Sequence, residues 1–305
     1  PDKRYYMLLV DKQASGSSTV NWRMGNSTID TGSNYSNRYS WLGGGDGTNI
    51  NSTKIWEGIG AGNNQFHIGY ISNLATKEKL LQDWFVEQNT AGAGTTPRRY
   101  ERVGKWSNTS NPITDIQAMQ DAAGTYAIGA ELVVLAWDPE DTHTSNFWEE
   151  LYSGDLSGGA ATYIDSGTIA AKKYLWYQLF TSQTISSDYV VTFNGDTGAN
   201  YNRRYSYNNG GDVSSDANLT SYPHTANAAN TPAFFNVFVI NNSANEKLIM
   251  SEEIMQSTAG AGTAPNRLEG AGKWVNTSAQ ITSMRVTSPS GNLNTGTYLK
   301  IWGSD

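Results

Sequence analysis

The sequence predicts an all-β protein made of two tandem, homologous, antiparallel β-sandwich (jelly-roll-like) domains, and three observations carry that expectation. One stretch occurs twice: residues 90–114 read TAGAGTTPRRYERVGKWSNTSNPIT and residues 258–282 read TAGAGTAPNRLEGAGKWVNTSAQIT, identical at 17 of 25 positions without a gap. Apolar residues recur at every second position over short runs, the period of a strand with one buried face. Gly, Asn, Ser and Pro bound these runs, and no long stretch carries helical spacing.

The duplication extends outward from that stretch. DTGSNYSNRYS at 30–40 answers DTGANYNRRYS at 196–206, a spacing of 166, and GAELVVLAWD at 129–138 lines up with GTYLKIWGSD at 296–305, a spacing of 167. NLATKEKLL at 73–81 matches NSANEKLIM at 242–250 with one slip. Steady spacing means a shared order of elements, so residues 1–141 are expected to form a first sandwich and 142–305 a second. The opening KRYYMLLV at 3–10 answers KKYLWYQLF at 172–180, whereas ATYIDSGTI at 161–169 has no counterpart in the first copy. The first repeat is therefore expected to lack its opening strand. The open edge this leaves is expected to be completed upstream in a longer chain or by strand donation from another subunit.

Individual strands follow from the pattern. YVVTFNGD at 189–196 is β-branched and aromatic and ends on Asn194-Gly195, a turn pair. FFNVFVIN at 234–241 alternates, and ITSMRVTS at 281–288 sets Met284 and Val286 against Ile281, Ser283, Arg285 and Thr287. TYLKIWG at 297–303 sets Leu299 and Ile301 against Lys300 and Trp302. ITDIQAMQDA at 113–122 has some helical character, but its twin does not, and twins share a fold; both are read as strands.

Composition narrows the function. A net charge of -7 and a charged fraction of 16% exclude a nucleic-acid-binding surface, which needs concentrated Lys and Arg. The absence of cysteine excludes disulfides and thiolate metal sites. No apolar run approaches the roughly 20 residues of a membrane-spanning helix. Abundant Gly, Ser, Thr and Asn with many Tyr and Trp suit a β-rich extracellular, phage or cell-surface protein.

Catalytic constellations are scarce. His67, His143 and His224 occupy no matching places in the two copies; His67 alternates within a strand, and the other two fall in linker and loop sequence. Glu78 with Glu246, and Glu101 with Glu269, recur beside basic residues and read as salt bridges rather than as a hydrolytic pair. TAGAGT lacks the Lys-Ser/Thr ending of a phosphate-binding loop and reads as a tight connection with glycine at positive φ. No enzyme activity is expected. Oxygen-rich loops containing Asp30, Asn34 and Asp46, and their twins Asp196, Asn200 and Asp212, make calcium the one candidate cofactor. Tyr35, Tyr39, Tyr201 and Tyr205 are candidate glycan contacts, and Lys105, Trp106, Lys273 and Trp274 of the repeated GKW are candidate interface or packing anchors.

The motifs FNGDTGANYNRRYS, TAGAGTAPNRLEGAGKW, VNTSAQIT and the terminal KIWGSD resemble repeats in structural proteins of tailed phages and related viruses, associated with capsid or tail. The resemblance covers both copies and implies a β-sandwich module on a particle's exterior, with no catalytic residues to carry over. The expected function is a structural protein of a virion or extracellular assembly: a decoration, fibre or filament subunit. Its partners would be copies of itself or other subunits. A glycan-binding adhesion module is the alternative.

Overall fold

The structure is a computed structural model that describes residues 3–57, 62–142, 146–208, 210–225 and 229–305. It is all-β, with 52% of residues in strands and no helix among the described residues. Contacts divide it into two compact units, Pro1–Glu87 with Arg98–Thr144, and Gln88–Pro97 with Ser145–Asp305. Ten residues of the first sequence repeat thus belong to the second unit. His143 lies outside the described residues.

In the first unit the strands are β1 (Tyr5–Lys12), β2 (Ala14–Ser15), β3 (Asn21–Gly25), β4 (Tyr35–Trp41), β5 (Gly47–Ser52), β6 (Gln65–Ser72), β7 (Lys79–Glu87), β8 (Arg98–Trp106), β9 (Asp115–Met119), β10 (Thr125–Tyr126) and β11 (Glu131–Trp137). Seven of them form an antiparallel sheet in the order β11-β1-β6-β7-β8-β4-β5, and β3 pairs with β9 opposite it. Tyr6, Leu8 and Val10 of β1 point into the core with Ile71, Leu81 and Trp106, and meet Trp22, Met24 and Ile55 from the other layer. Among the described residues β11 pairs only with β1, so its second edge is open.

The second unit contains β12 (Glu149–Asp155), β13 (Tyr163–Asp165), β14 (Tyr174–Thr181), β15 (Tyr189–Phe193), β16 (Tyr201–Tyr207), β17 (Val213–Leu219), β18 (Tyr222–His224), β19 (Ala233–Ile240), β20 (Lys247–Met255), β21 (Asn266–Trp274), β22 (Met284–Thr287) and β23 (Tyr298–Ser304). An eight-stranded sheet, β12-β23-β14-β19-β20-β21-β16-β17, faces a four-stranded one, β13-β22-β15-β18. The alternation read in the sequence becomes the core: Leu175, Tyr177 and Leu179 oppose Val239, Val237 and Phe235 in register, and Val191, Phe193, Met284 and Val286 close the sandwich from the smaller sheet. Asn194 and Gly195 both take positive φ, as a two-residue primed turn requires. They join no hairpin: the turn carries the chain from β15 in the smaller sheet to β16 in the larger one.

Each unit also buries a polar cluster; Glu57 of the first stands where His224 stands in the second, and the other members named below use different positions. In the first, Asp83 accepts hydrogen bonds from Arg102 and, at 3.0 Å, from Trp22 Nε1, beside His67. Glu57 accepts from Val20 N and from Gln65 Nε2. In the second, His224 lies on β18, fully buried, 2.7 Å from Glu253 through Nδ1 and 2.9 Å from the Tyr177 hydroxyl through Nε2. This corrects its reading as a loop residue: the strand is three residues long, too short to show a period.

Burial pushes the Glu57 carboxyl up to about 7, against the opposing pull of Lys12. Burial also pushes His67 down to about 4, although Asp83 favours its charged form. The two shifts have opposite linkage. Glu57 contributes stability that is present below its ordinary 4.5 and lost as pH rises through 7. His67 contributes stability that is present above its ordinary 6.5 and lost as pH falls through 4. Glu57→Gln should therefore give a protein whose urea midpoint rises more steeply from pH 4 to 6.5 than that of His67→Phe, the residue found at the equivalent Phe235. Parallel profiles for the two variants would refute the assignment.

Candidate functional site

Strand alternation gives each residue of the repeated GKW a different task. Gly272 faces the core, where a Cβ would lie 2.1 Å from the Tyr222 ring; in the first unit a Cβ on Gly104 would lie 2.8 Å from Ile55. Trp274, two residues on, is buried on the same side, and Lys273 points to the opposite face.

The tryptophan closes a corner. Asp196 Oδ2 accepts from Trp274 Nε1 at 2.7 Å, Oδ1 from Gly198 N at 2.9 Å, and both oxygens from Asn200 Nδ2. Tyr201 places its hydroxyl 3.0 Å from Phe193 N and 3.1 Å from Asp196 O. The first unit repeats this with Asp30, Gly32, Asn34, Trp106 and Tyr35. Lys247 sits 5.6 Å from the Trp274 ring centroid and donates to Asn245 O and Asn276 O, and burial lowers its ammonium to about 8. Partial burial opposes ionisation of Asp30 and Asp196, but the hydrogen bonds from Trp106 and Trp274, Gly32 and Gly198, and the two asparagines outweigh it and hold both carboxyls below the ordinary range.

Two expectations are corrected here. The calcium set does not assemble: the oxygens of Asp30 and Asp196 are taken by N–H donors, and Asn34 and Asn200 offer NH2 rather than oxygen. Asp46 is paired with Arg38 at 3.0 Å, and Asp212 lies 3.8 Å from Arg204. The glycan platform fails at Tyr35 and Tyr201, which are buried corner residues with no face for a sugar. Tyr39 packs edge-on against Trp56, and the Arg203 guanidinium covers the Tyr205 ring at 4.1 Å.

The lysine defines a seat for a chain segment. Within the second unit, Lys273 Nζ donates to Thr90 O at 2.7 Å and Gly92 O at 3.0 Å, and pairs with Glu246 at 3.2 Å. Glu246 Oε1 in turn accepts Gly92 N–H. Asn202 Nδ2 reaches Thr95 O at 2.9 Å, Asn218 N donates to Ala93 O at 3.0 Å, and Arg204 Nε donates to Pro97 O at 2.7 Å. The recognition is almost wholly of backbone, which suits a segment of Gly, Ala and Thr. Gly92 stands at φ 91°, where a side chain would be strained. Burial lowers the Lys273 ammonium, and Glu246 opposes that shift.

The first unit carries the same seat with no segment held in it among the described residues. Lys105 pairs with Glu78 at 2.8 Å with side chains 44% and 39% exposed, where Lys273 and Glu246 are 0% and 4% exposed. Around Lys105 lies an open groove of about 620 Å³ that runs over β4, β5, β7 and β8 onto β6 and Tyr5 of β1, bordered by Ser36, Arg38, Ile50, Leu80 and Val103. Leu80 is 56% and Val103 49% exposed, while the equivalent Leu248 and Ala271 are 2% and 1% exposed. Of the four anchors read from GKW, the two tryptophans are packing anchors, Lys273 holds a segment, and Lys105 faces solvent. Glu246 is legible in the sequence as a salt-bridge residue, whereas Asn202 and Asn218 carry no signal of their own in the sequence beyond the duplication.

No protein-family model matches the chain, and no curated protein matches it.

Two substitutions separate the seats. Lys273→Met leaves Glu246 buried and unpaired and should destabilise the protein by about 3 kcal/mol, whereas Lys105→Met at the exposed pair should change stability by less than about 1 kcal/mol. Trp274→Phe keeps the ring but removes the donor to Asp196, with an expected loss of about 1–3 kcal/mol. Urea unfolding of the three variants checks both; equal losses for the two lysines would remove the distinction between the seats.

Proposed function

We propose that this chain is a non-enzymatic structural protein of a virion or extracellular assembly, a decoration, fibre or filament subunit working at a particle's surface or outside the cell. One observation carries the reading: the same segment seat occurs twice, filled in one unit and open, with apolar borders, in the other. An exposed groove of this kind fits a partner surface better than a soluble monomer's exterior. The unpaired edge of β11 supports the same reading, because a free strand edge takes a donated strand from a neighbouring subunit.

The buried titratable groups fit a structural role. His67 with Asp83 and His224 with Glu253 are fully enclosed in the cores, where they tie strands together and face no cleft. The repeated carboxylates sit in ion pairs, Glu78 with Lys105, Glu246 with Lys273 and Glu269 with Arg267. Static light scattering across a concentration series, with negative-stain images of the same fraction, tests the proposal. Particles larger than one chain, growing with concentration, are expected. A single-chain mass at every concentration would overturn it.

A further inference from the structure

We propose that residues 256–265 of one molecule dock into the groove around Lys105 in the first unit of a second copy of this chain. The contact repeats between molecules the one that Gln88–Pro97 makes with the Lys273 seat. The inference rests on the reading of the protein as an assembly subunit and names the contact that would build the assembly.

The two segments are nearly interchangeable. QNTAGAGTTP at 88–97 and QSTAGAGTAP at 256–265 differ only at Asn89/Ser257 and Thr96/Ala264. Gly92 and Gly260 stand at φ 91° and 90°, so the second segment holds the same turn at its glycine, although Asn89 also takes positive φ, at 61°, and Ser257 does not. Such preorganisation lowers the entropic cost of docking. Ala93, Thr96 and Pro97 are buried in the seat, whereas Ala261, Ala264 and Pro265 are exposed.

The two seats match as well. Lys105, Glu78, Arg38 and Asn51 stand where Lys273, Glu246, Arg204 and Asn218 stand, and Asn51 and Asn218 share a left-handed backbone at φ 50° and 53°. The filled seat reads mainly carbonyls and one glycine N–H; of the two differences between the segments, Thr96/Ala264 removes one side-chain contact, since Thr96 Oγ1 accepts from Arg204 Nη2 at 3.3 Å. One seat residue differs: Ser36 replaces Asn202, whose amide reaches Thr95 O, so the contact between molecules is the weaker of the two.

Exposed apolar residues complete the pair of surfaces. Leu80, Val103 and Ile50 border the groove, and Phe180 and Ile254 lie beside residues 256–265 at 48% and 53% exposure. The equivalents Leu248, Ala271 and Val86 are all buried. A donor on the second unit and an acceptor on the first make a heterologous contact, which propagates as a filament or closes as a ring.

The absence of cysteine makes the test direct. In the filled seat a Cβ on Gly94 would lie 3.7 Å from Asn218 Oδ1, so the equivalent intermolecular pair is Gly262 with Asn51. Single variants Gly262→Cys and Asn51→Cys of the full chain are mixed and treated with a short bis-maleimide. Lys105→Glu and Gly260→Val, otherwise cysteine-free, are followed in parallel by light scattering, with circular dichroism confirming that both fold. The expected result is a covalent heterodimer that appears only in the mixture, and loss of the large species in both variants. Assembly of the unmodified chain with no mixed cross-link, and with both variants still assembling, would overturn this contact while leaving the assembly reading intact. A chain that stays single and gives no cross-link would overturn both.

Discussion

An ammonium group buried away from water must be met by oxygen, and the seat of the second unit is organised around that requirement. Taking Lys273 out of solvent costs several kcal/mol, which Glu246 alone does not offset unless the remaining protons are also hydrogen-bonded. Thr90 and Gly92 supply the two carbonyls. A segment of Gly, Ala and Thr is suited to this because it has little side-chain bulk to hold its carbonyls away. The charge holds a loop in place.

The same economy of charge appears at the corners. Asp30 and Asp196 are each surrounded by an indole N–H, a backbone N–H and an asparagine amide, which stabilise the ionised form and knit the turn after β3 or β15 to the far end of β8 or β21. Lys79 and Lys247 then cap carbonyls above the indole rings. Three residues in a row, Gly, Lys and Trp, thus serve core contact, segment binding and corner closure because a strand turns successive side chains to opposite faces. That division accounts for the close retention of GKW in both copies. Positions on the groove face have drifted, as in exposed Val103 against buried Ala271.

Buried polar clusters diverged most freely. One unit joins His67 to Asp83 and Arg102, and the other joins His224 to Glu253 and Tyr177, at positions that do not correspond. In the second cluster His224 bonds both Glu253 and Tyr177, whereas in the first His67 Nδ1 and Asp83 Oδ1 face each other at 3.6 Å and, with Arg102 Nε, lack a hydrogen-bond partner among the described residues.

The sequence by itself determined the all-β class, several of the strands and the equivalence of the two copies in sequence. Period-2 alternation, turn residues and repetition are local signals that survive without coordinates. It also singled out Lys105, Trp106, Lys273 and Trp274, although it did not separate their tasks, since adjacent letters do not reveal which face is covered. Only the tertiary structure decided that Tyr35 and Tyr201 are enclosed, that Asp30 and Asp196 bind N–H groups in place of a cation, and that Gln88–Pro97 belongs with the second unit. The physical reason is that two near-identical segments differ here in what surrounds them. Burial is a property of the neighbours, and residues 88–97 and 256–265 have almost the same composition and opposite exposure.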